Sequence, residues 1–510
     1  MEIKILKEEY WYGGCAAWGG QMPLGERSEA DLQLEPNPTP NQAMPLLVSS
    51  RGRYLWLDGV EEVKFSGGYI HCQGTAELYP NGEQSLQAAA EKQTLRDAYQ
   101  RRWSGIFHSV EKCPQKELFE APVFNTWIEL TFDQNQQAVL RYARNILDSG
   151  FRPGVLMIDD GWAECYGDWQ FHKGRFPDPA GMLRDLHGLG FKVMLWVCPY
   201  VTPDSKAYRE AVQKGFCCKM NPEALLLPNG GMAFRLLWIS ARIRLAAGWT
   251  PSLALRGLGV DGFKFDGGDP THYVGAYSGG KAVIPNEMSH FWAEFGLRYP
   301  LNEYRSAWKA GGLPLMQRLC DKDHSWGKTG LAALIPDLLA QGITGHPFGC
   351  ADLVGGGEYL NFQKNAGRLD RELFLKHAAV SCLTPVIQFS AAPWRILNAD
   401  QLRTVHAQLA VRRQWQEYLE QVLCECARTG APAVRYMEYE FPHQGMEQLL
   451  DQYMLGSRLL VAPVLEKGKT AREVYIPRGE WLWEGKLLHS RGEVLEFYAP
   501  DTFLIVLERQ

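Results

Sequence analysis

The chain has 510 residues, of which 46% are hydrophobic and 22% charged, an ordinary globular composition that excludes disordered, collagenous and coiled-coil chains. Its 53 Lys and Arg against 58 Asp and Glu give a formal net charge of −5. No basic run longer than a pair such as Arg101-Arg102 stands out, so nucleic acid is not an expected partner.

Residues 1–117 read as short strands broken by turn chemistry, with Gly13-Gly14, Gly19-Gly20, Gly67-Gly68 and Pro36-Asn37-Pro38 as punctuation, which predicts an N-terminal β-sandwich. From 118 to 410 short apolar runs alternate with helical patterns, the signature of βα units. The expected strands are Thr126–Leu130, Val155–Asp159, Lys192–Val197, Gly262–Asp266, Leu301–Arg305, Ile343–Phe348 and Pro385–Ser390. Val139, Leu140, Tyr142, Ala143, Ile146 and Leu147 recur at helical spacing and predict a helix over Gln137–Asp148. The fold class is therefore α/β, and the repeat count suits a (β/α)8 TIM barrel, though counting alone does not separate it from an open doubly wound sheet. Residues 411–510 open with a helix around Gln414–Cys426. Alternating runs then include Arg458–Val464, Glu473–Ile476 and Phe503–Leu507, and they predict a small C-terminal β-domain of the sandwich type.

Acids end the apolar strands. Val155-Leu156-Met157-Ile158 runs into Asp159-Asp160, and Gly262-Phe263-Lys264-Phe265 runs into Asp266. In a parallel barrel all C-terminal strand ends open onto one face, so these carboxylates converge. An Asp there is also a common helix N-cap. Lys264 in an apolar strand needs a partner, and Asp266 lies on its side of the strand. Such an ammonium would hold a nucleophilic carboxylate ionised, although a purely structural ion pair has the same pattern. A third acidic stretch, Arg318 to Trp326, offers Asp321 and Asp323 as a second carboxyl of the kind glycoside cleavage requires, or a polar surface loop. Trp127, Trp162, Trp169, Trp196, Trp326 and Trp394 lie in or beside the strand ends. Flat, partly apolar rings suit a sugar cleft, while any single Trp is more often core.

No HExxH, CxxC pair, Walker A or GxSxG motif is present, so no metal and no cofactor is expected. The twelve Cys have no metal-site spacing and read as mostly buried thiols in a reducing compartment. The first nine residues are charged throughout, with no apolar signal core, and no apolar stretch reaches 18 residues. A cytoplasmic protein without a membrane partner is expected, with oligomerisation left open.

Asp168-Trp169-Gln170-Phe171, Arg175-Phe176-Pro177-Asp178-Pro179 and Leu195-Trp196-Val197 resemble the barrel of glycoside hydrolase family 31. Gly259 to Asp266 is similar to its nucleophile strand, and Gly345-His346-Pro347-Phe348 with Asp352-Leu353-Val354-Gly355-Gly356 to a late barrel strand and its turn. Phe441-Pro442, Asp451 to Gly456 and Tyr475 to Trp481 match its tail. The resemblance implies a retaining α-glycosidase with Asp266 as nucleophile and an Asp as acid/base. The family places that acid five residues before an aromatic, which selects Asp321 ahead of Trp326 and leaves Asp323 as the fallback. The usual Gly-Asp is Cys320-Asp321 here, and Gln388 stands in the region of the family's usual His.

The pair Asp159-Asp160, the Thr126-Trp127 segment, Arg318 before Asp321, and Gln388-Phe389-Ser390 with Pro393-Trp394 look like the branch that contains the myogenesis-regulating glycosidase and bacterial α-galactosidases. The resemblance then implies that Trp127, Asp159, Asp160, Trp196, Lys264, Arg318, Asp352, Gln388 and Trp394 bind substrate, and that the substrate is an oligosaccharide or other α-glycoside, best an α-galactoside. The alternatives are an α-glucosidase, an α-xylosidase or a sulfoquinovosidase on the same barrel, a clan-related α-galactosidase, and a non-catalytic sugar-binding protein. Retaining chemistry expects the two carboxyls about 5–5.5 Å apart.

Overall fold

The computed structural model describes all residues except 81–92, 107–111, 216, 221–222, 225, 229–231, 236–252 and 279–280. Two sheets form the N-terminal sandwich. One orders Glu2–Lys4, Tyr69–Gly74, Val60–Ser66 and Ala30–Leu32; the other orders Leu24–Gly25, Tyr10–Cys15, Gln42–Ser49, Tyr54–Trp56 and Glu77–Tyr79. Trp11, Leu47, Leu55, Phe65 and Ile70 close the space between them. Strand Gln42–Ser49 is buried at all eight positions. Its N-terminal end pairs in parallel with Ala307–Trp308, a segment that follows a barrel strand.

The barrel closes in the order β1 (Val123–Asn125), β2 (Val155–Ile158), β3 (Lys192–Val197), β4 (Gly262–Phe265), β5 (Asn302–Tyr304), β6 (Gln317–Arg318), β7 (Gly349–Val354) and β8 (Val386–Phe389), all parallel. Alternation along the strands sorts the residues. Val123, Val155, Met157, Met194, Leu301, Met316 and Val386 share one apolar cluster, while Phe124, Leu156, Ile158, Phe263 and Phe265 join the cluster under the helices. The first set is the inner floor of the barrel, and one step up each strand the same inward face carries Asn125, Asp159, Trp196, Glu303, Arg318 and Gln388. Gly262 is required at the β4–β5 contact, since a Cβ there would stand 2.1 Å from the Leu301 carbonyl oxygen.

Helices Ala399–Gln414 and Gln416–Thr429 lead to the tail, a six-stranded sheet from Val434 to Arg509 beside a two-stranded one, around buried Trp481. Between the barrel and that tail, Arg412 donates to the carbonyls of Phe119, Cys382, Thr384 and Pro385, so one buried guanidinium satisfies the chain ends below β1 and β8.

Most expected strands lie where the sequence places them, and two do not. Thr126–Leu130 is not a strand: β1 precedes it, and Trp127–Leu130 forms a helical turn because the Asn125 side chain accepts from Trp127 N at 2.7 Å and turns the chain. Ile343–Phe348 is likewise not a strand. Leu334–Ile343 is a helix buried at every position, with only Asp337 and Gln341 polar, so it lacks the broad polar face that marks a helix in sequence, and β7 follows it. Gln317–Arg318 is an eighth strand too short to announce itself. Eight of the twelve cysteines are buried, and all are free. Among the described residues no helix is long and apolar enough to cross a membrane.

The sandwich reaches the barrel mouth through Gln42, whose amide donates to the carbonyls of Arg305 and Arg318 and is itself held by Gln341. Gln42→Ala leaves those buried carbonyls without their donor. It should cost about 1–3 kcal/mol, read as a lower urea midpoint; an unchanged midpoint would show that the contact contributes nothing.

Candidate active site

Asp266 follows β4 directly. The Phe-Lys-Phe strand buries both phenyl rings outward, where Phe265 stacks on Tyr304 at 4.9 Å and packs against Trp292 at 5.3 Å, and this fixes Lys264 and Asp266 on the inner side. One oxygen of Asp266 accepts from Arg305 Nε at 2.9 Å and Gly267 N at 2.9 Å; the other accepts from the Trp196 indole at 3.0 Å. Burial would raise this carboxyl, but Arg305, then Lys264 and Arg318, together with the Trp196 bond, hold it well below the usual carboxylate range. Arg305 also reaches Asp269 at 3.2 Å.

Lys264 makes its direct bond to Asp159, at 2.7 Å, rather than to Asp266. Asn125 donates to the same Asp159 oxygen at 2.8 Å and to the Gln388 carbonyl at 3.1 Å, and Gln388 donates in turn to Glu303 at 2.7 Å. Glu303 accepts from Arg318 Nε at 3.1 Å. A buried chain of hydrogen bonds therefore crosses the barrel from β4 through β2, β1 and β8 to β5 and β6. Arg318 Nη1 completes it, meeting Asp352 at 2.6 Å and Asp321 at 2.7 Å. Asp352 takes a left-handed backbone, φ 71°, and its second oxygen accepts from Lys322 N and Gly357 N, so it supports Arg318 and the start of the loop carrying Asp321.

Asp321 is the carboxylate that opens outward, with its side chain 41% exposed against 21% for Asp266 and none for Asp352. Cys320 N, just before it, is fixed by Asn41 of the sandwich. Asp323 sits two residues on, in a turn closed by backbone bonds to Thr329 and Ser325. Asp160 faces Tyr166, whose hydroxyl donates to it at 2.6 Å. Burial first, with help from Asp159 and Asp266, raises Asp160 to about 6 against the pull of that bond.

The arrangement holds one anion, Asp266, on Arg305 within the field of Lys264 and Arg318, and a second, more exposed carboxylate, Asp321, on Arg318. Residues 122–307 match the model of the glycosyl hydrolases family 31 TIM-barrel domain, and 430–509 match the glycosyl hydrolase family 31 C-terminal domain; together they cover just over half of the chain. The chain belongs to glycoside hydrolase family 31.

Among curated relatives in family 31, the myogenesis-regulating glycosidase of Mus musculus is 31% identical over 78% of this chain and 57% of its own length. The alpha-xylosidase XylQ of Lactiplantibacillus pentosus is 24% identical over 92% of this chain and 62% of its own. The chain thus spans about six tenths of those relatives. Among solved structures, a Flavobacterium johnsoniae dextranase of the family, complexed with glucose, superposes with a TM-score of 0.80 at 18% identity, covering all of this chain and 66% of that one. A sulfoquinovosidase from E. rectale gives 0.79, also at 18% identity.

Within this family 31 barrel, Asp159, Asp160, Trp196, Lys264, Asp266, Arg318, Asp321, Asp352 and Gln388 belong to one connected cluster. Trp127 stands half-buried at the rim. Trp394 does not join them: its ring packs on Phe124, Tyr142 and Phe151 behind β1, in the helix layer. Four residues escaped sequence reading, namely Asn125, Tyr166, Glu303 and Arg305. Glu303 stands in the polar run Asn302-Glu303-Tyr304 and so lacks the signal that singles out Lys264, a charge inside an apolar strand.

Among the described residues, Glu438, His443 and Glu447 have side-chain atoms close enough together to share a cation. They lie in the tail region and take no part in this cluster.

A carboxyl raised in the folded state keeps a proton that the unfolded chain loses near pH 4. The stability it lends is therefore full below that pH and is lost as pH rises through 6. Asp160→Asn removes this loss. Its unfolding free energy relative to the parent should grow by about 2–3 kcal/mol between pH 4 and 7, and a pH-independent difference in urea unfolding would refute the assignment.

Proposed function

We propose that the chain hydrolyses terminal α-glycosidic bonds with retention, with an α-galactoside as first-choice substrate. The observation that carries this is the pair of unlike carboxylates on one rim: Asp266 fixed as an anion by Arg305, Trp196 and Gly267 N, and Asp321 exposed on Arg318. The anion attacks the anomeric carbon from one face while Asp321 protonates the leaving oxygen from the other. Asp266 and the sugar are then joined by a covalent ester. Asp321, now a base, takes a proton from water, which displaces Asp266 and releases the sugar with its configuration retained.

The remaining residues position these two. Lys264, Arg305 and Arg318 supply the positive field around Asp266. Asp160 and Tyr166 stand beside β2 and β3, where the Asp160 carboxyl and the Tyr166 oxygen, its proton given to Asp160, accept from sugar hydroxyls, and the Trp196 indole braces the nucleophile. Galactose as the glycone is supported by the motif resemblance to the branch with bacterial α-galactosidases, and a glycosidase of some kind by the 31% identity to the mouse glycosidase. Glucose, xylose and sulfoquinovose remain the alternatives, and a panel of nitrophenyl α-glycosides separates them. Turnover of the glucoside with none of the galactoside would reject galactose.

Asp266→Asn should lower turnover on the order of 10³-fold or more while sugar binding persists; unchanged turnover would reject the nucleophile. Asp321→Ala should lose about 10²–10⁴-fold on alkyl glycosides and much less on nitrophenyl glycosides, whose leaving group departs without a proton. Asp323→Ala should behave like the parent, and the opposite pattern would move the acid/base role to Asp323.

A further inference from the structure

Three aromatic rings close into a triangle at the mouth between β1 and β7. Trp127 and Tyr359 lie 5.3 Å apart, Phe132 and Tyr359 5.4 Å, and Trp127 and Phe132 5.9 Å, the two contacts of Phe132 being edge to face. Phe132 is 49% exposed and Leu360 beside Tyr359 is 58% exposed, so the cluster turns an apolar surface outward. Exposed rings of this kind are costly unless something covers them.

The segment that presents Phe132 is fixed and strained. Ile128 N donates to Ser390 Oγ at 2.7 Å, Glu129 holds Ala392 N and the Arg395 guanidinium, and Gln134 donates to the Thr131 carbonyl. Thr131 itself has φ 47° and ψ −120°, a conformation that a β-branched residue adopts only under constraint. That strained residue sets the direction of Phe132.

The wall adjoins the acid. Gly357 N bonds Asp352, and a Cβ on Gly357 would lie 3.2 Å from the Asp321 carboxylate. Tyr359 is two residues further on, at the first turn of helix Tyr359–Asn365. The group attached to the oxygen that Asp321 protonates therefore leaves the cleft beside Tyr359.

We propose that Trp127, Phe132 and Tyr359 bind the ring on the leaving-group side of the scissile bond, selecting α-glycosides whose aglycone offers a flat apolar face. A second pyranose and an aryl group share that chemistry. The inference rests on Asp321 as proton donor. Trp127 gives the wall its base, and Phe132 and Tyr359 its accessible edge.

Methyl, cyclohexylmethyl and benzyl glycosides and a disaccharide of one glycone test this, because the first three have alkyl leaving groups that depend alike on a proton. Phe132→Ser and Tyr359→Ser should each lower kcat/KM for the benzyl glycoside, the disaccharide or both by about three- to tenfold, with the methyl glycoside changed less than twofold. Loss on the benzyl glycoside alone assigns the wall to aryl aglycones, and loss on the disaccharide alone to a second sugar. Equal losses on the methyl glycoside, or a cyclohexylmethyl loss matching the benzyl one while the disaccharide is unchanged, overturn flat-ring selection.

Calorimetric binding to the Asp266→Asn protein, with and without Phe132→Ser, reads the wall without turnover. Wall-dependent binding with no hydrolysis by the parent overturns the hydrolytic reading alone, unchanged benzyl-to-methyl and disaccharide-to-methyl binding ratios together overturn the wall alone, and no binding of any glycoside overturns both.

Discussion

Arg318 is the group on which the barrel interior depends. Its side chain is 1% exposed, and it faces Glu303, Asp352 and Asp321. A cation taken out of water is tolerated only when nearly every donor is matched, so the three carboxylates follow from the burial of one guanidinium. Glu303 comes from β5, Arg318 from β6 and Asp352 from β7, and the matching therefore fixes how those strands stand relative to one another. Glu303 passes the constraint on through Gln388 and Asn125 to Asp159 and Lys264. The belt has no apolar substitute at any one point, because truncating a single member strands its neighbour's charge.

The same constraint extends into the sandwich. Asn41 and Gln42 satisfy the backbone of Cys320, Arg305 and Arg318, and Pro40 O accepts from the Arg305 guanidinium. The strand that follows, Gln42–Ser49, is apolar except at its ends and buried throughout. A loop beside a barrel would leave the carbonyls of Arg305 and Arg318 to water; an N-terminal strand beginning at Gln42 bonds them instead, and the burial of Arg318 beneath it strengthens the charge interactions that Arg318 makes.

The barrel is legible because several of its strands are short apolar runs, two of them ending in acids, a pattern the helices between them do not share. Asp159, Lys264 and Asp266 stood out because charge is costly in such runs. Glu303 carries no such mark, since its neighbours Asn302 and Tyr304 make a strand with little apolar character. The β7 strand is hidden for another reason: the helix before it is buried at all ten positions and only Asp337 and Gln341 are polar, so little in the pattern separates helix from strand in that stretch. Trp394 shows the limit of position along the chain. It follows a barrel strand as a cleft residue would, yet its ring turns back onto Phe124 and Tyr142, and only packing decides which way an aromatic at a strand end faces.

The two rim carboxylates receive unlike shares of the available positive charge. Arg305 divides itself between Asp266 and the buried Asp269, and Asp266 gains an indole and a backbone N–H besides. Arg318 is already met by two buried carboxylates before it reaches Asp321, which keeps a large exposed surface. Double displacement needs one carboxylate that stays an anion and one that can take up and give back a proton at the same rim. Three buried acids, Glu303, Asp352 and Asp269, touch no substrate in this scheme, and they produce that inequality by deciding how much of each arginine is left for the acid that does.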